Sequence, residues 1–328
     1  MGDVSAAAAG ATADGGIDVT VLLCTRNRCE ALGRSLTQLL RLEIPPAVRW
    51  EVVIVDNGST DGTAALLADH RSSLPLRVVR EPRQGLSRAR NAGLAAARGT
   101  LVCLTDDDCL TDQRWLWVAW EEFARDPELD ILGGRVELYD LRDRPTTTRT
   151  SRERAPVADP YAVSLIVGCN MAMRRRVVES VGWFDIALGG GTSARAGEDV
   201  DYVYRGLLAG LKMVYSPDLL VLHNHGRRTD AQARHLTRAY SVARGALFGK
   251  YLLAPGRGGG MRVRAYADFA YHARLAARDV RSWRLPRRTT LHYWYLGQGM
   301  LYWLGHRVRS ALVDRVSDPG RTTGATNI

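Results

Sequence analysis

LVCLTDDD, residues 101–108, is the stretch whose reading decides the fold. Leu101–Leu104 is a short apolar run of the kind that forms a strand buried on both faces, and it runs straight into three consecutive carboxylates. The same grammar recurs upstream. Val19–Cys24 leads into Thr25 and Arg26, Val52–Val55 into the turn Asp56-Asn57-Gly58, and Leu76–Val79 forms a third run. Helical patterns lie between them. Asn27–Leu40 carries Leu32, Leu36, Leu39 and Leu40 on one face, with Asn27 and Glu30 spaced as a capping pair. Leu66 and Leu67 mark a second helix and Leu86–Ala97 a third. Strands alternating with helices predict an α/β domain with a mainly parallel, Rossmann-like sheet, and polar residues at the strand ends mark its ligand edge.

Downstream the pattern loosens. Tyr139–Pro160, rich in Arg, Thr and Pro, reads as a long loop, followed by apolar residues at Ser164–Met173 and a helix near Arg174–Val181. Gly189–Gly191 reads as a flap, Glu198–Leu208 as a helix, and Met213–Tyr215 and Leu219–Leu222 as two short strands. From Arg227 the pattern is helical, broken at Pro255–Gly260.

The chain has 328 residues, 46% apolar and 24% charged, a globular composition. Its net charge of +10 is uneven. Residues 227–328 carry nineteen basic and five acidic side chains, whereas residues 1–226 are slightly acidic. Five cysteines without C-x-x-C spacing argue against a disulfide scaffold or zinc ribbon and fit reduced thiols. Residues 1–16 lack the features of a signal peptide and are expected to be a disordered tail. The longest uncharged stretch, Thr289–Gly305, is interrupted by Gly297, Gln298 and Gly299 and falls short of a spanning helix.

Three motifs carry chemistry. Asp106-Asp107-Asp108 repel one another unless a cation sits among them, and oxygen ligands of this kind suit Mg2+ or Mn2+. A solvated turn and helix cap is the competing reading. Glu198-Asp199 opens a helix, where acids also complement the helix dipole. His223-Asn224-His225 follows a strand end.

Taken in order, VLLCTRNR (21–28), VIVDNGSTDGT (53–63), GLSRARNAG (85–93), TDDD (105–108), GCNMAMRR (168–175), VGWFDIALGGGT (181–192), GEDVDYVYR (197–205) and LHNHG (222–226) resemble the family 2 glycosyltransferases of GT-A fold. The resemblance spans about residues 18–226. It implies transfer of a sugar from a nucleotide-sugar donor, with inversion at the anomeric carbon. Thr25 and Arg26 would line the nucleobase pocket and Asp56 would accept a hydrogen bond from the base. Arg90 would reach phosphate or ribose. Asp106 and Asp107 would contact the nucleotide, and Asp106, Asp108 and His223 would hold Mg2+ or Mn2+, with His225 as the fallback for His223; because the triplet satisfies both D-D and D-x-D spacing, Asp107 could exchange roles with either neighbour. Asp199 matches the family's catalytic base, with Glu198 beside it as the second catalytic residue, holding the acceptor or the site's geometry. Trp183 and Phe184 lie toward the acceptor and would either offer it an aromatic platform or pack in the core.

The expected organisation is a tail at 1–16 and a GT-A domain at 17–226, its nucleotide-binding part ending near 110 and its acceptor part filling 111–226. A basic, aromatic-rich helical region follows at 227–312, then a flexible tail at 313–328. In that helical region Arg interleaves with Tyr266, Phe269, Tyr271, Trp283, Tyr293, Trp294, Tyr295, Tyr302 and Trp303. Such interleaving suits a membrane–water interface, and a helical cap or dimer surface is the alternative. No nucleic-acid motif is present, so no nucleic-acid partner is expected. The expected location is cytoplasmic, peripheral on the inner face of the cell membrane, with a lipid-linked or envelope-glycan acceptor. The rivals are a diffusible secondary metabolite as acceptor and, in another class, a non-catalytic basic binding protein on a GT-A scaffold.

Overall fold

The protein's computed structural model describes residues 16–252 and 287–317, with Gly259, Gly260, Arg262, Arg264, Ala267, Tyr271 and Arg274 between them. Tyr266, Phe269, Trp283, residues 1–15, residues 255–258 of the expected break and residues 318–328 lie outside the described residues. The chain divides into two compact units, Met1–Gly191 with Glu198–Leu236, and Thr192–Gly197 with Thr237–Ile328.

The first unit is built on a mixed sheet. Strands β1 (Val19–Thr25), β2 (Trp50–Asp56), β3 (Leu76–Arg80) and β4 (Leu101–Asp106) are parallel, in the spatial order β3-β2-β1-β4. Helices α1 (Cys29–Leu39), α2 (Thr63–Asp69) and α3 (Leu86–Ala96) follow the first three strands. Val21, Leu23, Val52, Ile54 and Cys103 are fully buried, which is why these strands read as continuous apolar runs.

Beyond β4 come β5 (Cys109–Thr111), α4 (Trp115–Arg125) and β6 (Leu129–Leu138). After them lie β7 (Ala155–Pro156), β8 (Asn170–Arg174), α5 (Val177–Val181), α6 (Glu198–Leu208) and β9 (Lys212–His223). The sheet continues from β4 as β8-β6-β9-β5; β8 runs antiparallel to β4 and β6, and β6 and β9 are parallel.

Several local expectations are corrected. Asn27 and Glu30 are not a capping pair. Asn27 takes a positive φ of 53°, its side chain accepts from the Thr60 N–H, and α1 starts at Cys29 without a side-chain cap. The two strands expected at Met213–Tyr215 and Leu219–Leu222 are one, β9, whose register against β6 shifts between Gly134 and Arg135. Gly134 is required at that shift, because a Cβ there would collide with the Leu219 carbonyl and the Asn170 amide. Arg174 ends β8 and is not the start of a helix. The long loop contributes Ala155–Pro156 as a strand against β9.

The second unit contains most of α7 (Asp230–Leu252) and all of α8 (Arg287–Ser317). Helix α8 runs past residue 313, where the tail is expected to begin. The two helices meet on glycines. A Cβ on Gly245 would strike the Leu296 carbonyl, and one on Gly299 the Val242 carbonyl. Gly299, one of the two glycines that interrupt Thr289–Gly305, is therefore a point of close backbone approach, whereas Gly297 has open space beside it. Arg238 lies over the Tyr295 ring at 4.8 Å and Lys250 over Trp303 at 5.4 Å.

Candidate active site

Parallel pairing aligns the ligand edge. In the β1–β2 register Thr25 stands opposite Asp56, and in the β1–β4 register Cys24 stands opposite Asp106. The polar residues at three strand ends therefore share one rim. A cleft of about 250 Å³ opens there, lined by Thr25, Arg26, Arg28, Asn57, Gly85, Asp106, Asp107, Gly190 and Gly191 among others. Helix α3 begins at this rim. The Leu86 N–H donates to the Gly190 carbonyl (2.9 Å) and Ser87 Oγ donates to the Leu188 carbonyl (2.7 Å), so the glycine loop is hydrogen-bonded to the start of α3. Asn57 fixes the floor, donating to the carbonyls of Glu81 and Arg83 and accepting from the Gly85 N–H.

Each acid of the triplet has its own surroundings. Asp106 is half-buried, and its Oδ1 lies 3.3 Å from Arg90. Asp107 is buried, accepting from Thr25 Oγ1 (2.8 Å) and pairing with Arg28 (2.7 Å). Burial pushes its carboxyl up to about 6, against the attraction of Arg28. Asp108 is also buried, 2.9 Å from Arg28 Nη2 and 3.3 Å from His223 Nε2. Burial opposes its ionisation, but the His223 contact together with Arg28 outweighs that and holds the carboxyl well below the ordinary range. A single guanidinium thus bridges two buried carboxylates. Arg28 stands in the run VLLCTRNR, yet that run carries no sign of this role; its partners are about 80 residues away.

Arg90 makes the second bridge. It is 3% exposed and pairs with Glu198 Oε1 at 2.8 Å as well as with Asp106. Arg90, expected at phosphate or ribose, is directed at these two carboxylates. Burial opposes its charge, but Glu198 and Asp106 more than compensate and keep it protonated. Glu198 is pushed up by burial and by Asp199, with Arg90 only partly offsetting them, so it takes a proton readily. Asp199 is half-buried; its Oδ2 accepts from the Gly168 N–H at 3.0 Å. Gly168 is glycine for a packing reason, since a Cβ there would press on the Arg90 guanidinium at 2.5 Å.

The remaining expected residues fall in different places. Asp56 is buried, its Oδ1 accepting from the Ser59 N–H, while Arg26 is exposed on the cleft wall. His223 faces Asp108 and its Nδ1 lies 3.0 Å from Thr147 Oγ1. His225 faces Asp143 at 3.4 Å. Trp183 is half-exposed. Phe184 packs in the core: it is 2% exposed, stacks on Tyr202 at 4.2 Å and lies beneath Arg90.

Of the expected cation ligands, His223 Nε2 stands 3.3 Å from Asp108 Oδ1, whereas Asp106 Oδ1 faces Arg90; among the described residues the metal-ligating side chains whose donor atoms all lie within 4.8 Å of one another are Cys109, Cys169 and His223.

The fold resembles those of solved glycosyltransferase structures. A mannosyltransferase from Pyrobaculum calidifontis, solved with GDP-Man and Mn2+, superposes with a TM-score of 0.55 at 22% identity, covering 87% of this chain and 86% of that one. S. aureus TarS gives 0.54 at 20% identity, over 70% of this chain and 40% of that one. These likenesses establish a GT-A fold. The chain belongs to glycosyl transferase family 2, whose model matches residues 20–182. Among curated relatives, the pre-mycofactocin glycosyltransferase of Mycobacterium tuberculosis is 28% identical over 222 residues, 63% of this chain and 43% of the relative. The glycosyltransferase AglE of Haloferax volcanii is 26% identical over 211 residues, 62% of this chain and 66% of the relative. The chain therefore matches less than half the length of the first of these relatives.

Proposed function

We propose that this protein transfers a sugar from a nucleoside-diphosphate sugar to an acceptor hydroxyl, with inversion. The observation that carries the reading is the Arg90 bridge, which ties the strand-end acids to the Glu198-Asp199 pair around one cleft. Thr25, Asp56 and the glycines at 85, 190 and 191 would receive the nucleotide. Asp106, Asp108 and His223 would hold Mg2+ or Mn2+, which when bound compensates the charge of the departing diphosphate. Asp199 would take the proton of the acceptor hydroxyl, its orientation fixed by the Gly168 N–H. Glu198, paired with Arg90, is a positioning residue. On this reading the donor half ends near residue 110, residues 111–226 serve the acceptor, and Trp183 is the exposed aromatic beside it.

The acceptor we infer is lipid-linked or an envelope glycan, taken at a membrane surface. Helix α8 exposes Leu291, Trp294, Leu301, Leu304 and Val308 along one face, and residues 227–328 carry the chain's excess of arginine. Among the described residues no helix is long and apolar enough to cross a membrane, so the contact would be peripheral. Relatives include a succinoglycan biosynthesis protein and a dodecaprenyl-phosphate galacturonate synthase, whose names fit such acceptors. A diffusible acceptor would need no such face.

Thermal-shift screening of nucleotide-sugars with and without Mn2+ tests the donor half. A donor at 100 times its dissociation constant adds about 2.7 kcal/mol of stability. Absence of any metal-dependent shift across UDP-, GDP- and dTDP-sugars would favour a non-catalytic scaffold.

A further inference from the structure

We propose that Cys109, Cys169 and His223 form a site for a thiophilic divalent cation such as Zn2+, set directly behind the acidic triplet. The site shares His223 and Asp108 with the hard-cation site of the preceding reading, but its two thiol ligands belong to it alone and its test does not depend on sugar transfer.

One ligand atom from each of the three residues lies within 4.8 Å of the other two. All are buried, at 1%, 8% and 6% exposure. The arrangement is built by the sheet: Cys109 on β5 and His223 on β9 are register partners, and Cys169 immediately precedes β8. Asp108 lies outside this group but close to two of its members. Asp108 Oδ1 stands 3.3 Å from His223 Nε2 and 3.9 Å from Cys109 Sγ. Tetrahedral zinc with bonds of about 2.3 Å to sulfur and 2.0–2.1 Å to nitrogen or oxygen has ligand–ligand edges of about 3.3–3.8 Å. The Asp108–His223 separation already matches, and the thiols need close by only ~1 Å. The Thr147 hydroxyl on His223 Nδ1 supplies the outer contact that fixes a metal-binding imidazole, leaving Nε2 toward the site.

Donor chemistry separates this site from the carboxylate rim. Two thiolates and an imidazole select zinc-like ions, whereas carboxylate oxygens suit Mg2+ and Mn2+. Binding forms two metal–sulfur bonds and releases the two thiol protons to solvent, with no change of oxidation state. Because His223 and Asp108 cannot serve both ions, a zinc-like ion here would exclude the hard cation from the rim.

Co2+ reports such a site without any substrate. Titrating the reduced full-length protein should give a sulfur-to-cobalt charge-transfer band in the near ultraviolet and intense tetrahedral bands in the visible. Both should saturate at one equivalent and be bleached by Zn2+. Cys109→Ser and Cys169→Ser should each weaken cobalt affinity at least tenfold, while Cys29→Ser leaves it unchanged. Wild-type protein provides a second readout that needs no variant to fold: Zn2+, but not Mn2+, should protect Cys109 and Cys169 from alkylation, as mapped by mass spectrometry. No thiolate band, protection at other cysteines, or undiminished bands in both serine variants would overturn the proposal. So would a Cys109–Cys169 disulfide combined with no cobalt band after reduction.

Discussion

Arg90 Nη1 stands 2.8 Å from Glu198 Oε1, joining two acidic motifs that lie 108 residues apart in the chain. The guanidinium also reaches Asp106, and its burial makes the arrangement dependent on all three charges. Removing the cation from such a cluster leaves the buried Glu198 unpaired beside a half-buried Asp106, a loss of about 3–5 kcal/mol. Protonation of Glu198, whose carboxyl is already pushed up, relieves part of this. Arg90→Met is therefore expected to lose about 3 kcal/mol in urea denaturation. Arg90→Lys should recover little, since one ammonium cannot span both partners. A wild-type midpoint in Arg90→Met would show that the bridge contributes nothing to the fold.

Asp199→Asn keeps the side chain's shape and, through its carbonyl oxygen, can still accept from the Gly168 N–H. It removes the proton acceptor and leaves the triplet untouched. Transfer should fall by about 10²- to 10⁴-fold, with nucleotide affinity nearly unchanged. Turnover near wild type would move the base elsewhere, with Glu198 first in line.

Asp108→Ala should behave differently. Asp108 holds both Arg28 and His223, so its loss releases two partners as well as an oxygen ligand. Mn2+ should enhance nucleoside-diphosphate binding in the wild type and much less in the variant, as read by calorimetric titration. Equal enhancement in both would remove Asp108 from the cation site.

Asp107 gives the pH signature. Its carboxyl is about 6 in the folded protein, against about 3.9 in an unfolded chain. Between those values the native state binds the extra proton, so stability falls as pH rises from about 4 to 6. Asp107→Asn removes that slope. Its stability relative to wild type should therefore rise by up to about 3 kcal/mol between pH 4 and pH 7, measured by denaturant titration. Asp108 has the opposite sign, contributing stability that is lost only on acidification below about pH 4. A pH-independent difference for Asp107→Asn would exclude Asp107 as the source.

How much of this was legible in the sequence follows from where the information lies. The parallel half was readable because β1, β2 and β4 are buried on both faces and each ends in polar residues, a signal contained in single short runs. Elements β5, α4 and β6 carry no such local mark. Trp115, Leu116, Ala119 and Phe123 form the buried face of α4, but half-buried Trp117 and Trp120 blur the contrast between faces, and Gly133-Gly134 interrupts β6. At the rim, the acids were visible as a cluster and their counter-ions were not. Arg28 and Arg90 look like surface arginines on helical stretches, and only the folded chain brings them to Asp107, Asp108 and Glu198. Cys109 and Cys169, 60 residues apart, have no recognisable ligand spacing for the same reason.

The apolar face of α8 supports the last prediction. Leu291, Trp294, Leu301, Leu304 and Val308 recur at helical spacing and are exposed, while Leu296 and Trp303 on the other side are buried. Arg307 and Arg309 continue the same helix and lie at the surface. If this face rests on a bilayer, the protein should pellet with anionic vesicles, each nearby basic residue contributing on the order of 1 kcal/mol. High salt should remove only part of the binding, because screening acts on the charges and leaves the apolar contact. Replacing Trp294, Leu301 and Val308 together with Gln changes exposed positions alone, so the fold should survive and the salt-resistant fraction should disappear. Equal pelleting of wild type and triple variant, or no pelleting of either, would rule out the membrane surface and make a diffusible acceptor the better reading.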